Sequence, residues 1–232
     1  MKQQIAVCLL TCNRDAYTEK TVQTFAQFNA GDDRFVLLHG DDASDTPVNA
    51  QLAGDYGFTT VMQSTARRGW LPSRIELFRQ AARYAQWVLL LENDIETLRP
   101  FPWKTFDVVW KQRDVTSFRL YGRFKDRQKT ELCLATHKRN GHTPVNWRPW
   151  RFAPEPCQIG RIHWSAQPCV TRLNDLLDLH RHGHEPHGLT VRVKKNVMAH
   201  FGTERTTMPG LEGIRTKDLR DLSTLGKELA SA

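Results

Sequence analysis

The chain has 232 residues, enough to bury a full core, and its 40% hydrophobic and 25% charged content is ordinary for a soluble globular protein. No apolar run approaches the ~18 residues of a membrane span, and the short run after Met-Lys-Gln-Gln is not expected to be a secretory signal. Five cysteines (Cys8, Cys12, Cys133, Cys157, Cys169), an odd number without a CxxC pair, argue against a disulfide framework and a thiolate zinc site. They favour a reducing compartment, so a cytoplasmic location is expected. The formal charge of +8, with a pI near 9.4, points to a polyanionic or multiply phosphorylated partner. The surplus is uneven. The first hundred residues hold ten Lys/Arg against twelve Asp/Glu, and the remainder holds 23 against 13.

Ile5–Leu10 is a continuous apolar run, as in a strand buried on both faces. Tyr17–Asn29 follows with Tyr17, Val22, Phe25 and Phe28 near helical spacing, and Asp15 is placed to cap it. Phe35–Leu38 predicts a second strand ending in Gly-Asp-Asp-Ala-Ser-Asp45, Val48–Tyr56 a short helix, and Phe58–Met62 a third strand. Leu71–Tyr84 reads as a helix with Pro72 in its first turn, and Trp87–Leu91 as a fourth strand ending in Glu92-Asn-Asp94. Beyond Pro100, strands are expected at Val115–Tyr121, Ile162–Thr171 and Thr190–Val197, with helices at Leu173–Arg181 and Leu219–Ala230. Gly122–Arg151 is basic and irregular. Four alternations of strand and helix imply a mainly parallel sheet covered by helices. No internal repeat or low-complexity tract suggests a second independent domain.

Ligands of such sheets bind beyond the carboxyl ends of the strands, which is where Thr11–Arg14, Asp41–Asp45 and Glu92–Asp94 fall. Glu92 and Asp94, two apart where a strand's pleat is released, can turn toward one cation; hard oxygen ligands suit Mn²⁺ or Mg²⁺ bridging a diphosphate. The plain alternative is a pair of exposed acids opening a loop. Asp41 and Asp42 can accept from the N–H and hydroxyl groups of a nucleotide, or simply build a turn. Arg74, on the helix after Arg67-Arg-Gly-Trp70, can reach a base carbonyl or phosphate, or be a solvated arginine.

In this order, Ile5–Leu10, Thr11-Cys-Asn-Arg14, Phe35–Leu38 with Asp41-Asp-Ala-Ser-Asp45, Arg74 and Glu92-Asn-Asp94 resemble the GT-A fold, and in particular family 2-type glycosyltransferases. The family pattern is Thr-x-Asn-Arg, Val-Asp-Asp-Gly-Ser-x-Asp, Ala-Arg-Asn and Asp-x-Asp. This sequence departs from it with Ala43 for glycine, Arg68-Gly-Trp70 for Asn-x-Gly, and Glu92 for the first metal-motif Asp. The resemblance covers roughly residues 1–100 and implies a mixed, mainly parallel Rossmann-like α/β sheet in one continuous domain. Residues 1–100 would then form the nucleotide-sugar-binding half, and residues 101–232 the acceptor-binding half with its C-terminal helix.

The resemblance further implies that Thr11, Asn13 and Arg14 line the nucleotide pocket, that Asp41 or Asp42 holds the base or ribose, and that Arg74 supports the base. Asp94 would bind the metal directly and Glu92 the ribose or metal-bound water. His200, before Phe201-Gly202, resembles the late histidine that completes the metal shell; a lone histidine is otherwise structural. The reaction implied is transfer from a nucleotide sugar, a UDP-sugar first, to an acceptor hydroxyl with a carboxylate base. Asp175, Asp178 and Glu185 are candidates for that base, and Glu185 is preferred by its place in the family pattern. His182, His184 and His187 around it could instead bind a transition metal, or form a helix end and loop.

The acceptor is read from charge. Arg119, Arg123, Lys125, Arg127, Lys129, Lys138, Arg139, Arg148 and Arg151, with Trp147, Trp150 and Phe152 interleaved, combine cations for phosphates with rings for unstacked bases. A solvated basic loop and a cradle for lipid phosphate or anionic polysaccharide are the alternatives. The polynucleotide reading suits sugar addition to hydroxymethylated bases in bacteriophage DNA, in a bacterial cell or phage-infected host. The competing functions are cell-surface polysaccharide or lipopolysaccharide assembly and, outside enzymology, a nucleic-acid-binding protein on a decayed transferase fold.

Overall fold

Seven consecutive buried residues mark β1 (Ile5–Thr11) as an interior strand of the sheet in the computed structural model, which describes residues 4–120, 147–160, 168–182 and 188–200. An all-apolar strand needs cover on both faces, and its alternating side chains supply it. Ile5, Val7 and Leu9 pack with Val22 and Phe25 of α1 (Asp15–Asn29); Ala6, Cys8 and Leu10 pack with Leu77, Phe78 and Ala81 of α3 (Trp70–Ala81). β2 (Phe35–Asp41) and β4 (Trp87–Glu92) flank β1 in parallel register. α2 (Val48–Asp55) then leads to β3 (Thr59–Gln63), which runs parallel outside β2.

Beyond β4 the sheet becomes mixed. The later elements are β5 (Ile95–Thr97), α4 (Trp103–Val109), β6 (Val115–Arg119), β7 (Arg148–Trp150), β8 (Cys157–Gly160), β9 (Cys169–Arg172), α5 (Leu173–His182), β10 (Leu189–Val193) and β11 (Met198–His200). The nine-stranded order is β3-β2-β1-β4-β9-β6-β10-β8-β7, so strands from both halves of the chain share one sheet. β9 is antiparallel to both β4 and β6, while β10 runs parallel to β6. β5 and β11 form a separate antiparallel pair. Phe35, Trp87, Phe101, Trp103, Phe106 and Phe118 build an edge-to-face cluster that seats α4 against the same layer as α1.

The mainly parallel α/β expectation holds for β1 to β4, and several local expectations are corrected. Asp15 is not a cap: the helix begins there, Arg14 occupies the cap position in a left-handed conformation, and no side chain caps the first turn. Its carboxylate lies instead in the first turn, where the helix dipole favours a negative charge. The strand expected over Thr190–Val197 stops at Val193, and pairing resumes only at Met198. β5, α4 and β8 were not anticipated, being too short to show a period. Leu219–Ala230 lies outside the described residues. No helix among the described residues is long and apolar enough to cross a membrane.

Candidate functional site at the carboxyl ends of β1, β2 and β4

Register sets the site. Thr11 lies opposite Asp41, and Leu10 opposite Glu92, so three neighbouring strands end at one level. The chain leaves β1 through Asn13 and Arg14, both in the left-handed region at φ 54° and 65°. That conformation costs about 1 kcal/mol or more per non-glycine residue. Asn13 offsets it with bonds: its N–H donates to Ser44 Oγ at 2.8 Å, its amide exchanges two 2.8 Å bonds with Asp45, and its carbonyl accepts from Asn49 and Asn93. One asparagine therefore ties together the loops after β1, β2 and β4. Arg14 folds back over the Tyr17 ring at 4.1 Å.

Asp41 is 4% exposed and used within the protein: it accepts from Thr11 Oγ1 at 2.8 Å, Ser44 N–H at 2.7 Å and Ser44 Oγ at 2.6 Å. Because the Thr11 hydroxyl proton goes to Asp41, His39 Nε2 at 2.9 Å must donate to Thr11 Oγ1. His39 Nδ1 is then the acceptor from Thr60 Oγ1 at 2.9 Å. A single-direction relay thus crosses the sheet from Thr60 through His39 and Thr11 to Asp41. It requires neutral His39, and burial pushes the imidazole down to about 4, with Asp41 acting weakly the other way.

Asp42, also 4% exposed, grips the loop before α3: Oδ1 accepts the Arg68 N–H at 2.8 Å and Oδ2 the Gly69 N–H at 2.9 Å. Gly69, at φ 89°, makes the turn into Trp70, the first residue of α3. The Trp70 indole N–H donates to Glu92 Oε1 at 2.6 Å. One helical turn on, the Arg74 guanidinium lies 3.7 Å from the Trp70 ring centroid and is 2% exposed. Burial pulls Arg74 down to about 9, opposed by Glu92, so the cation persists at neutral pH. Asp42, Gly69, Trp70 and Glu92 therefore form a continuous bridge between the ends of β2 and β4.

Asp94, two residues past Glu92, is 1% exposed. β11 runs antiparallel to β5 with His200 opposite Ile95, so the His200 backbone is level with the residue after Asp94. Its side chain lies outside the described residues, as does Glu185. Asp175 sits in the first turn of α5. Among the described residues no group of three His, Cys, Asp or Glu side chains is placed to hold a metal ion by itself. Beside the bridge a cleft of about 1040 Å³ opens between the loops after β2 and β3, lined by Ala43, Ser44, Asp45, Ser64 and Arg67 among others. Thr11 lies beneath the site, its hydroxyl committed to Asp41.

The polynucleotide expectation is corrected in part. Trp150 is a 7% exposed core residue packed with Cys157 and Val193, because β7 joins the sheet at β8 and turns that ring inward. The Trp147 ring carries the Arg192 guanidinium at 3.8 Å. Arg148, Arg151 and Phe152 are exposed, and Arg119 is partly buried in β6 between β9 and β10. Arg123, Lys125, Arg127, Lys129, Lys138 and Arg139 fall outside the described residues. Burial raises the Cys8, Cys157 and Cys169 thiols, which suits packing and not metal binding.

Sequence reasoning missed His39, Ser44 and Asn49, and assigned nothing to Trp70. Two signals were available: His39 is two residues before Asp41 on one strand face, and Trp70 is four before Arg74 on one helix face.

No protein-family model and no curated protein matches this sequence. Solved structures do. S. aureus TarS 1-349 aligns at 15% identity over 77% of this chain and 50% of its own, with a TM-score of 0.53. Glucosyl-3-phosphoglycerate synthase from Mycobacterium tuberculosis, solved with Mn²⁺, UDP and phosphoglyceric acid, aligns at 14% identity over 98% of this chain and 76% of its own, with a TM-score of 0.51. The mannosyltransferase PcManGT from Pyrobaculum calidifontis, solved with GDP-Man and Mn²⁺, matches at 17% identity over 56% of this chain, with a TM-score of 0.43. The chain spans 39% of PcManGT and half of TarS 1-349. The alignments over 77% and 98% of this chain show the fold: the chain has a GT-A-type fold, a mixed sheet flanked by helices.

Proposed function

We propose that this chain is a divalent-metal-dependent glycosyltransferase that takes a nucleotide-sugar donor, a UDP-sugar first, and transfers the sugar to an acceptor hydroxyl. The observation that supports this reading is the Asp42–Gly69–Trp70–Glu92 bridge, which links the end of β4 to the end of β2. One solved neighbour, glucosyl-3-phosphoglycerate synthase, carries Mn²⁺ with UDP in one structure and with UDP-glucose in another, which supports the donor class. Glu92 and Asp94 are a fitting donor set for such an ion: two hard carboxylates, one deeply buried, with phosphates to complete the shell. His200, level with that loop, is the proposed further ligand.

When bound, the ion would neutralise charge on the departing diphosphate. The chain's own part is positional. Asn13, Asp41 and Asp42 hold three loops in one arrangement, and the cleft beside Ser44 and Arg67 is the proposed seat of the nucleoside. Glu185 is proposed to accept the acceptor's proton as its oxygen bonds to the anomeric carbon; the bond to the diphosphate breaks and its electron pair leaves with the diphosphate.

A net charge of +8 favours an anionic acceptor. DNA bearing hydroxymethylated bases and anionic cell-surface polysaccharide are two versions of it. The inward Trp150 removes one base-stacking ring from the first. Thermal stabilisation by UDP- and GDP-sugars with Mn²⁺ or Mg²⁺, followed by donor hydrolysis with and without modified DNA, tests both levels. Metal-dependent stabilisation lost in Asp94→Asn supports the transferase; a relic that binds nucleic acid would show none in the wild type. No DNA stimulation and no salt-sensitive DNA binding eliminates the DNA acceptor.

A further inference from the structure

Among the described residues the large exposed hydrophobics are Trp70, Tyr84 and Phe152, and Trp70, at 39%, is the one that borders the acidic pair. Its exposure is unlike that of a loose surface ring. The backbone before it is gripped by Asp42 through two N–H groups, its indole N–H is held by Glu92, and one face rests on Arg74. Arg74 is 2% exposed, so that face is turned into the protein, and the remaining exposure belongs to the opposite face and rim. A ring immobilised in advance loses little further freedom on meeting a ligand, which is how preorganised sites gain affinity. An aromatic face takes a flat base or the C–H face of a sugar ring, and each such stack contributes enough to change binding measurably.

We propose that Trp70 is a donor-binding residue: its outer face stacks on a ring of the nucleotide sugar, base or pyranose, while its N–H orients Glu92. The assignment rests on the nucleotide-sugar reading above. Both parts belong to one side chain, so substitutions separate them: Trp70→Phe keeps a ring and loses the bond to Glu92, and Trp70→Ala loses both.

Calorimetric titration of wild type, Trp70→Phe and Trp70→Ala with UDP, UDP-glucose, GDP and GDP-mannose, each with Mn²⁺, tests this. Trp70→Ala is expected to bind about tenfold more weakly, with Trp70→Phe between it and wild type. Equal losses for diphosphate and nucleotide sugar assign the base as the stacked ring; a loss confined to the nucleotide sugars assigns the pyranose. Should Trp70→Ala fail to fold, the wild-type indole N–H resonance, identified by its disappearance in Trp70→Phe, gives a second measurement. It is expected to shift on donor addition. An unmoved resonance at saturating donor, or both variants binding within twofold of wild type, overturns the role of Trp70 and leaves the donor reading standing. Wild type that binds none of the four overturns the donor reading itself.

Discussion

The acids that close β2 and β4 stand on the same edge of one sheet, yet their surroundings differ in kind. Asp41 and Asp42 have every carboxylate oxygen engaged by hydroxyls and backbone N–H groups of adjoining loops. Glu92 accepts from the exposed Trp70 indole, and Asp94, two residues on, is 1% exposed. The contrast teaches that acids on one sheet edge are held by different means, those after β2 by loop hydroxyls and N–H groups and Glu92 by an indole. The β2 aspartates shape the crevice, and the β4 acids are the proposed reactive end of it.

Substitutions can break that division. Asp94→Asn, nearly isosteric, should lower transferase turnover a hundredfold or more, an effect of about 3 kcal/mol, while the melting temperature stays near wild type. A variant that melts early yet turns over normally would move Asp94 to the scaffold class. Trp150→Ala should destabilise by about 3–5 kcal/mol through the cavity it leaves, read by denaturant titration. If instead it folds normally and loses DNA affinity, that ring belongs to an acceptor surface and not to the core. Asp41→Ala should cost about 3 kcal/mol of stability, because Thr11 and Ser44 lose a charged acceptor inside the protein.

His39 sharpens the same comparison by pH. Its folded value, about 4, lies below the unfolded 6.5, so the unfolded chain gains a proton first as pH falls. The stability it supports is complete above pH 6.5 and declines toward pH 4, by at most about 3 kcal/mol. His39→Gln should flatten that part of the acid-unfolding profile, and an unchanged slope between those pH values would exclude the neutral relay. The smallest effect belongs to Ala43, which holds φ 58° where the resembling family has glycine. Ala43→Gly should raise stability by about 0.5–1 kcal/mol, less the entropy glycine adds to the unfolded chain. A loss of stability would show that the Ala43 methyl packs usefully.

Much of the fold was legible because it repeats. Ile5–Leu10, Phe35–Leu38, Phe58–Met62 and Trp87–Leu91 are apolar runs separated by helical spacings, and all four became parallel strands in the order 3-2-1-4. The position of the candidate site was legible in the same way, since its polar residues follow those strands directly. The later strands were harder. β7, β8 and β11 are three or four residues long, too short for a period, and the pairing of β8 with β10 and of β11 with β5 depends on partners far along the chain.

Residue type and spacing were enough to say that acids would gather at the strand ends, because chain direction and strand length follow from local patterns. Which acids would be consumed in holding loops, that Trp150 would point inward, and that Trp70 would join Asp42 to Glu92 were settled by tertiary packing. Hydrogen bonds across 22 to 32 residues of chain depend on which loops the sheet brings together, and no local pattern encodes that.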